Sequence, residues 1–276
     1  MLSVCIVGLG QIGGSLGLAL KRRSLKRCYH VVGVDRNRDI LSAALKLRAV
    51  DKASLDLQSA KTADIVVICT PVDKIVYSYE LLSKIVNKNA IITDVGSVKY
   101  QIEKDVAILY KKNNFVPFVG AHPMVGKEKS GIFSADINMF ENSNVILTSS
   151  RKASVLVAQM WKDVGANIVK ISAKKHDEIV AFTSHLPHVI AFLINKIYKK
   201  IKKRNHTIDA FIAGSFESVT RVAVSSSDLW APIFLSNGKN VEKYLNEFVK
   251  ELNSFKKILK SKNKQKIKKE ILKIQE

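Results

Sequence analysis

The sequence predicts an open α/β sheet of parallel strands followed by an all-helical segment. Short β-branched runs alternate with helix-length stretches from about residue 2 to about residue 172. A glycine-rich turn ends the first of these runs. Strand signals then stop, and apolar residues recur at spacings of three and four. With 276 residues, 47% apolar and 25% charged, the chain has ordinary globular usage and enough length for one large domain or two modest ones. The switch in periodicity places the division at 1–172 and 173–276.

Each element has its own signal. Strand candidates are SVCIVGLG, YHVVGVD, ADIVVICTP, AIITDVG, FVPFVGAHP, NVILTSS and NIVKIS. Helix candidates at 12–21, 38–47, 72–85, 98–111 and 153–164 lie between them, with connections short enough for βαβ units. The helical part opens with AKKHDEIVAFTSHLPHVIAFLINKIYKKI. Further helical stretches at 209–224 and 241–259 flank SSSDLWAPIFLSNGKN, which its proline and Asn-Gly mark as a loop.

Composition narrows the function classes. The formal charge of +21 raises the question of a polyanion partner, but the lysines are spread along the chain and are densest after Lys239, as solvated helix faces would be; no nucleic acid is expected. The longest clean apolar runs are strand-sized, so no membrane partner is expected. Cys5, Cys28 and Cys69 show no metal-type spacing. Together with a start that lacks a basic leader, this reads as a cytoplasmic protein.

GLGQIGGS sets Gly8, Gly10 and Gly13 in the G-x-G-x-x-G spacing between an apolar strand and a helix. Such glycines serve a tight turn, close approach to a pyrophosphate, and close helix-to-strand packing, while the helix N-terminus offers free N–H groups to phosphate. The next strand ends in Asp35, about 20 residues on, where a carboxylate accepts from ribose hydroxyls. This is a Rossmann-type doubly wound sheet with NAD as its expected cofactor, held by Gly8, Gly10, Gln11, Ile12, Gly13, Asp35, Arg36, Thr70 and Pro71. Asp35 favours NAD over NADP; Arg36 beside it works against that preference. Thr70 and Pro71 belong to a set of strand ends, continued by Asp94, Gly96, Ser97 and Lys99 and by His122, that converges on the carboxyl edge where such sheets bind ligands. There His122 is a candidate for chemistry.

GLGQIGGSLGLAL, CTPVD, DVGSVK, GAHPMVGKEKSG, MFEN with VILT, HDEIVAFTSHLPH, SVTRVA and DLWAPIFLSN, in this order, resemble the prephenate and arogenate dehydrogenases of tyrosine biosynthesis. The resemblance covers essentially the whole chain. It implies a dinucleotide-binding domain and an all-helical domain that forms a homodimer, in a monofunctional form with no room for an added mutase or regulatory domain. The implied reaction is the NAD-dependent oxidative decarboxylation of prephenate to 4-hydroxyphenylpyruvate, or of the alanyl substrate arogenate.

On this resemblance His122 accepts the substrate's hydroxyl proton, and a neutral imidazole with an ordinary pKa of ~6.5 suits that task near neutrality. Ser97 orients hydroxyl and histidine, Arg221 pairs with a substrate carboxylate, and His188 lines the pocket as a donor. His185 is read as packing, His176 and His206 as surface residues, and Trp230 as packing against the dimer mate. Lys127 and Lys129 are read as a solvated loop. His185 and His188 lack a third ligand, so no metal is expected. Val125, where relatives often carry alanine, departs from the pattern. The competing readings are a β-hydroxyacid dehydrogenase or imine reductase, and a nucleotide sensor or basic nucleic-acid-associated protein.

Overall fold

Both faces of the first strand, β1 (Leu2–Val7), are covered. Val4 and Ile6 enter one apolar cluster, Cys5 and Val7 the other. That is the period-two division expected of a strand buried on both sides. In the computed structural model, which describes residues 1–22, 27–126, 131–148 and 152–275, β1 pairs in parallel with β2 (Tyr29–Val34). Next come β3 (Lys52–Ser54), β4 (Ile65–Ile68), β5 (Ile91–Asp94) and β6 (Phe118–Val119). The sheet order is β3-β2-β1-β4-β5-β6, all parallel, so the winding reverses between β1 and β4. Helices α1 (Gln11–Leu20) and α2 (Arg38–Lys46) bury Leu16 and Leu41 on one face. On the other, α3 (Ile75–Ser83) and α4 (Tyr100–Asn113) bury Tyr79, Leu82, Ile102 and Val106. On the first face α5 (Ala153–Asp163) adds Trp161, whose ring meets Phe140 edge-on.

Two expectations about strands need correction. The sequence offered no signal for β3, which is a three-residue edge strand with an exposed lysine and no apolar run. FVPFVGAHP is not one strand: it breaks at Gly120, whose carbonyl accepts from Thr148 N at 3.0 Å. Beyond the break the chain enters a second sheet of β7 (Ala121–Pro123), β8 (Asn144–Leu147) and β9 (Asn167–Lys170), with β7 antiparallel to β8. His122 therefore sits inside a strand, not past the end of one.

After β9 the described residues form no strand. The Ser172 hydroxyl caps α6 (Ala173–Val180) by accepting from Lys175 N. A π turn, Ala181–His185, joins α6 to α7 (Leu186–Lys202). Pro187 has no N–H to return to the preceding turn, and a widened turn accommodates that loss. This run, Ala173–Lys202, is long and apolar enough to cross a membrane by length and composition, which the reading of strand-sized runs did not anticipate. It also carries the buried polar side chains His176, Asp177 and His185. Then come α8 (Gly214–Thr220), α9 (Ser227–Lys260) and α10 (Lys264–Gln275).

The expected loop SSSDLWAPIFLSNGKN is the first part of α9. Ser226 caps its start through Asp228 N, and Trp230, Ile233, Asn237 and Val241 form one buried face at helical spacing. Burial of that face outweighs Pro232 and the Asn-Gly pair, and Asn237 keeps non-helical angles (φ −114°, ψ 17°) as a kink. Trp230 and Ile233 enter the same apolar cluster as Val66 and Ile92 of the main sheet.

Candidate active site

The glycine turn lies where the winding reverses. Gly8 has φ +95°, and a Cβ there would stand 2.8 Å from the Cys69 carbonyl at the end of β4. A Cβ on Gly13 would stand 2.0 Å from the Gly8 carbonyl, so strand and helix meet here as only glycine allows. A Cβ on Gly10 would meet nothing within 4 Å, which leaves this side of the loop open to a ligand. The N-cap Gly10 has no side chain to cap α1, whose first turn holds Gln11, Ile12 and Gly13. Asp35 directly follows β2; one carboxylate oxygen accepts from Leu9 N at 2.9 Å and the other from Asn37 N at 3.0 Å. The carboxylate thus steadies the loop and keeps lone pairs for a diol. Arg36 is exposed beside it. Across the reversal, the Thr70 hydroxyl is buried with no hydrogen-bond partner, and Pro71 follows. An orphaned donor at a strand end and an open, uncapped helix start fit a dinucleotide phosphate and its sugar.

The end of β5 is more deeply buried than its polar letters suggest. Lys99, grouped in the sequence with ligand-facing residues, is fully buried in an ion pair with Asp94. Asp94 also accepts from Gly96 N at 2.9 Å and from Ala121 N at 3.1 Å, tying the end of β5 to the start of β7. Ser97 is half-buried between the two residues of the pair in sequence. One residue beyond Ala121, His122 projects its imidazole, with Nδ1 2.9 Å from Nε2 of His176. His176 Nδ1 stands 2.7 Å from Asp177 Oδ1. Asp177 in turn accepts from Lys99 N at 2.8 Å and Tyr100 N at 2.9 Å, at the start of α4. Burial, then the neighbouring His176, Lys99 and His185, hold the His122 pKa well below 6.5.

His176 is thus not a surface residue. It is 2% exposed and touches the candidate base. Nothing in its own letter distinguished it from His206; only its place in HDEIVAFTSHLPH did. Asn237 was also missed, because Asn-Gly was read as a turn. Its amide donates to the Asp177 carbonyl at 2.7 Å and faces His185 Nδ1 at 3.2 Å. Trp230, expected at the dimer interface, is 7% exposed within the chain and stacks on His188 at 3.7 Å between ring centroids. His188 Nδ1 lies 2.9 Å from the Ser184 carbonyl, which can only accept. The neutral ring therefore presents an acceptor at Nε2, not the donor expected from the sequence. Burial lowers its pKa, against the pull of that carbonyl. Arg221 is exposed on a short turn, Arg221–Val224, packed against α7. Lys127 and Lys129 lie outside the described residues. Among the described residues no cluster of three or more His, Cys, Asp or Glu could hold a metal.

A glycine turn at the reversal of a doubly wound sheet, a half-buried neutral imidazole at its carboxyl edge, and a helical C-terminal part packed on that edge define a nicotinamide-dependent dehydrogenase. Sequence profiles narrow the class. Residues 16–170 match the nucleotide-binding domain of prephenate dehydrogenase and residues 172–273 its dimerization domain, so the chain belongs to the prephenate dehydrogenase family. It is 32% identical to the prephenate dehydrogenase of Bacillus subtilis over 91% of this chain and 68% of that protein. It is 34% identical to the cyclohexadienyl dehydrogenase of Zymomonas mobilis over 90% of this chain and 85% of that protein. The crystal structure of prephenate dehydrogenase from A. aeolicus, in complex with hydroxyphenyl propionate and NAD+, superposes with a TM-score of 0.90 at 31% identity. That match covers 100% of this chain and 96% of the other.

Proposed function

We propose that the chain is an NAD-dependent prephenate dehydrogenase, a cytoplasmic homodimer that converts prephenate to 4-hydroxyphenylpyruvate for tyrosine biosynthesis. Its nucleotide-binding part is 1–172, and 173–276 carries substrate contacts and the dimer interface. The observation that carries this reading is the half-buried neutral His122 at the sheet's carboxyl edge, hydrogen-bonded to His176 of α6.

Gly8, Gly10, Gln11, Ile12 and Gly13 cradle the pyrophosphate, Asp35 takes the ribose diol with Arg36 beside it, and Thr70 and Pro71 line the crevice toward the nicotinamide. NAD, when bound, supplies the acceptor for the hydride from the ring carbon that bears the hydroxyl. His122 takes the hydroxyl proton as the carbonyl forms, the carboxylate opposite leaves as carbon dioxide, and aromatisation drives the step. Ser97 orients the hydroxyl toward His122. Arg221 pairs with a substrate carboxylate through its planar fork, and His188 lines the pocket. The similarity to a cyclohexadienyl dehydrogenase favours a second reading, in which arogenate is also accepted.

Steady-state assays of the purified chain with prephenate and with arogenate, each with NAD and with NADP, test the proposal. Reduction of NAD with prephenate is the expected result. Turnover of neither substrate with either cofactor rejects it.

A further inference from the structure

We propose that His176 and Asp177 are positioning residues that act through His122, holding its imidazole in the tautomer that leaves Nε2 bare to receive the substrate's proton. The inference rests on the reading of His122 as the base and adds what orients it.

A carboxylate accepts and never donates. Asp177 is held by two backbone N–H groups at the start of α4, one on each oxygen. Its Oδ1 lies 2.7 Å from His176 Nδ1, so the hydrogen in that gap belongs to the imidazole. A neutral His176 with its hydrogen on Nδ1 has a lone pair on Nε2. That lone pair lies 2.9 Å from His122 Nδ1, so the hydrogen in this second gap belongs to His122. His122 then carries its lone pair on Nε2. Any other arrangement of two neutral rings sets two lone pairs or two hydrogens against each other in one of the gaps. A doubly protonated His176 would reverse the second bond and turn a hydrogen outward on His122, disabling it.

The order of the chain makes this a link between parts. His122 belongs to β7, whereas His176 and Asp177 belong to α6. Lys99 and His185 also face His122, and the charge of Lys99 is matched by Asp94. In hydrolases where a carboxylate orients a histidine base, exchanging it for an amide costs ~10,000-fold in kcat through the wrong tautomer. Loss of a supporting partner around a histidine more generally costs ~10- to 100-fold.

The test is long-range proton–nitrogen NMR on protein labelled with 15N-histidine, free of ligand, with His122 assigned from the spectrum of His122→Asn. The expected wild-type signature is a protonated Nδ1 and a bare Nε2 on His122. His176→Gln keeps an acceptor oxygen within reach and should keep that tautomer and most of kcat. His176→Leu removes the acceptor; the Nε2–H form should appear and kcat fall ~10- to 100-fold with KM for NAD unchanged. A wild-type ring protonated at Nε2, or a His176→Leu variant with wild-type kcat, overturns the proposal. A kcat loss in His122→Asn alongside an Nε2–H wild-type ring rejects the relay while the need for His122 in the reaction stands. Full activity in His122→Asn rejects the base itself, whatever the ring shows.

Discussion

At the scale of single residues, the environment of His122 changes what its chemistry should look like. From its letter alone the acid limb of kcat belongs near the ordinary imidazole value; burial and the facing His176, Lys99 and His185 hold the folded value well below 6.5. We therefore expect kcat to stay level as pH falls through 6.5 and to drop only in more acid solution, a limb that disappears in His122→Asn. A general base is worth ~100- to 10,000-fold, so the same variant should lose that factor in kcat while NAD affinity, measured by fluorescence titration, holds. Asp35→Ser should weaken NAD use and relax the rejection of NADP; a wild-type enzyme at least as efficient with NADP contradicts the assigned role. The sequence made His122, Ser97 and the glycine turn visible because each has a motif around it. It could not reveal His176, since a histidine's burial depends on what docks over it, and here that partner is 54 residues away.

Among the elements, the β5–α4 connection and α9 are the instructive cases. Strand ends are usually polar because they meet ligand or water, yet Asp94 and Lys99 are both sealed from solvent and pair with each other. Lys99→Met would leave a buried carboxylate with backbone donors only, and we expect a loss of about 3 kcal/mol, read as a lower denaturant midpoint. In α9, turn letters gave the wrong element. Proline and Asn-Gly describe local cost, whereas Trp230 and Ile233 pack on the far face of the sheet, and no local pattern contains that gain. The kink then has a use: it frees Asn237 to reach the Asp177 carbonyl. Asn237→Ala should cost about 1 to 3 kcal/mol, because a buried carbonyl and His185 each lose a partner. Calorimetry on the variant gives the check.

For the molecule as a whole, the alternation of strands and helices made the nucleotide-binding half legible. The division into two sheets was not, because a break at Gly120 looks like continuous β sequence, although the strands NVILTSS and NIVKIS were legible. Apolar residues on α7 stay uncovered within the chain: Leu193, Ile197 and Ile201 are 47%, 56% and 44% exposed at a four-residue spacing. Light scattering should give twice the 30.7 kDa chain mass, and a monomer at micromolar concentration would exclude the homodimer. Three histidines, His122, His185 and His188, also tie stability to pH. Burial first, then neighbouring imidazoles, against the pull of Asp177, lower His185 to about 4, and His122 and His188 are lowered too. Because the folded values lie below the unfolded one of ~6.5, stability is full above that pH and declines as it falls. His185 alone accounts for roughly 3 kcal/mol by pH 4. Urea titrations at pH 7.5 and about pH 5 would show the difference, and equal midpoints would contradict it. The seating of Trp230 and Ile233 in the apolar layer beneath the sheet has one more consequence. An indole from the helical half completes a core in the nucleotide-binding half, so neither half can come apart without opening the other. Heating should therefore give one sharp endotherm, with tryptophan emission shifting to the red at the same temperature as the helical signal is lost.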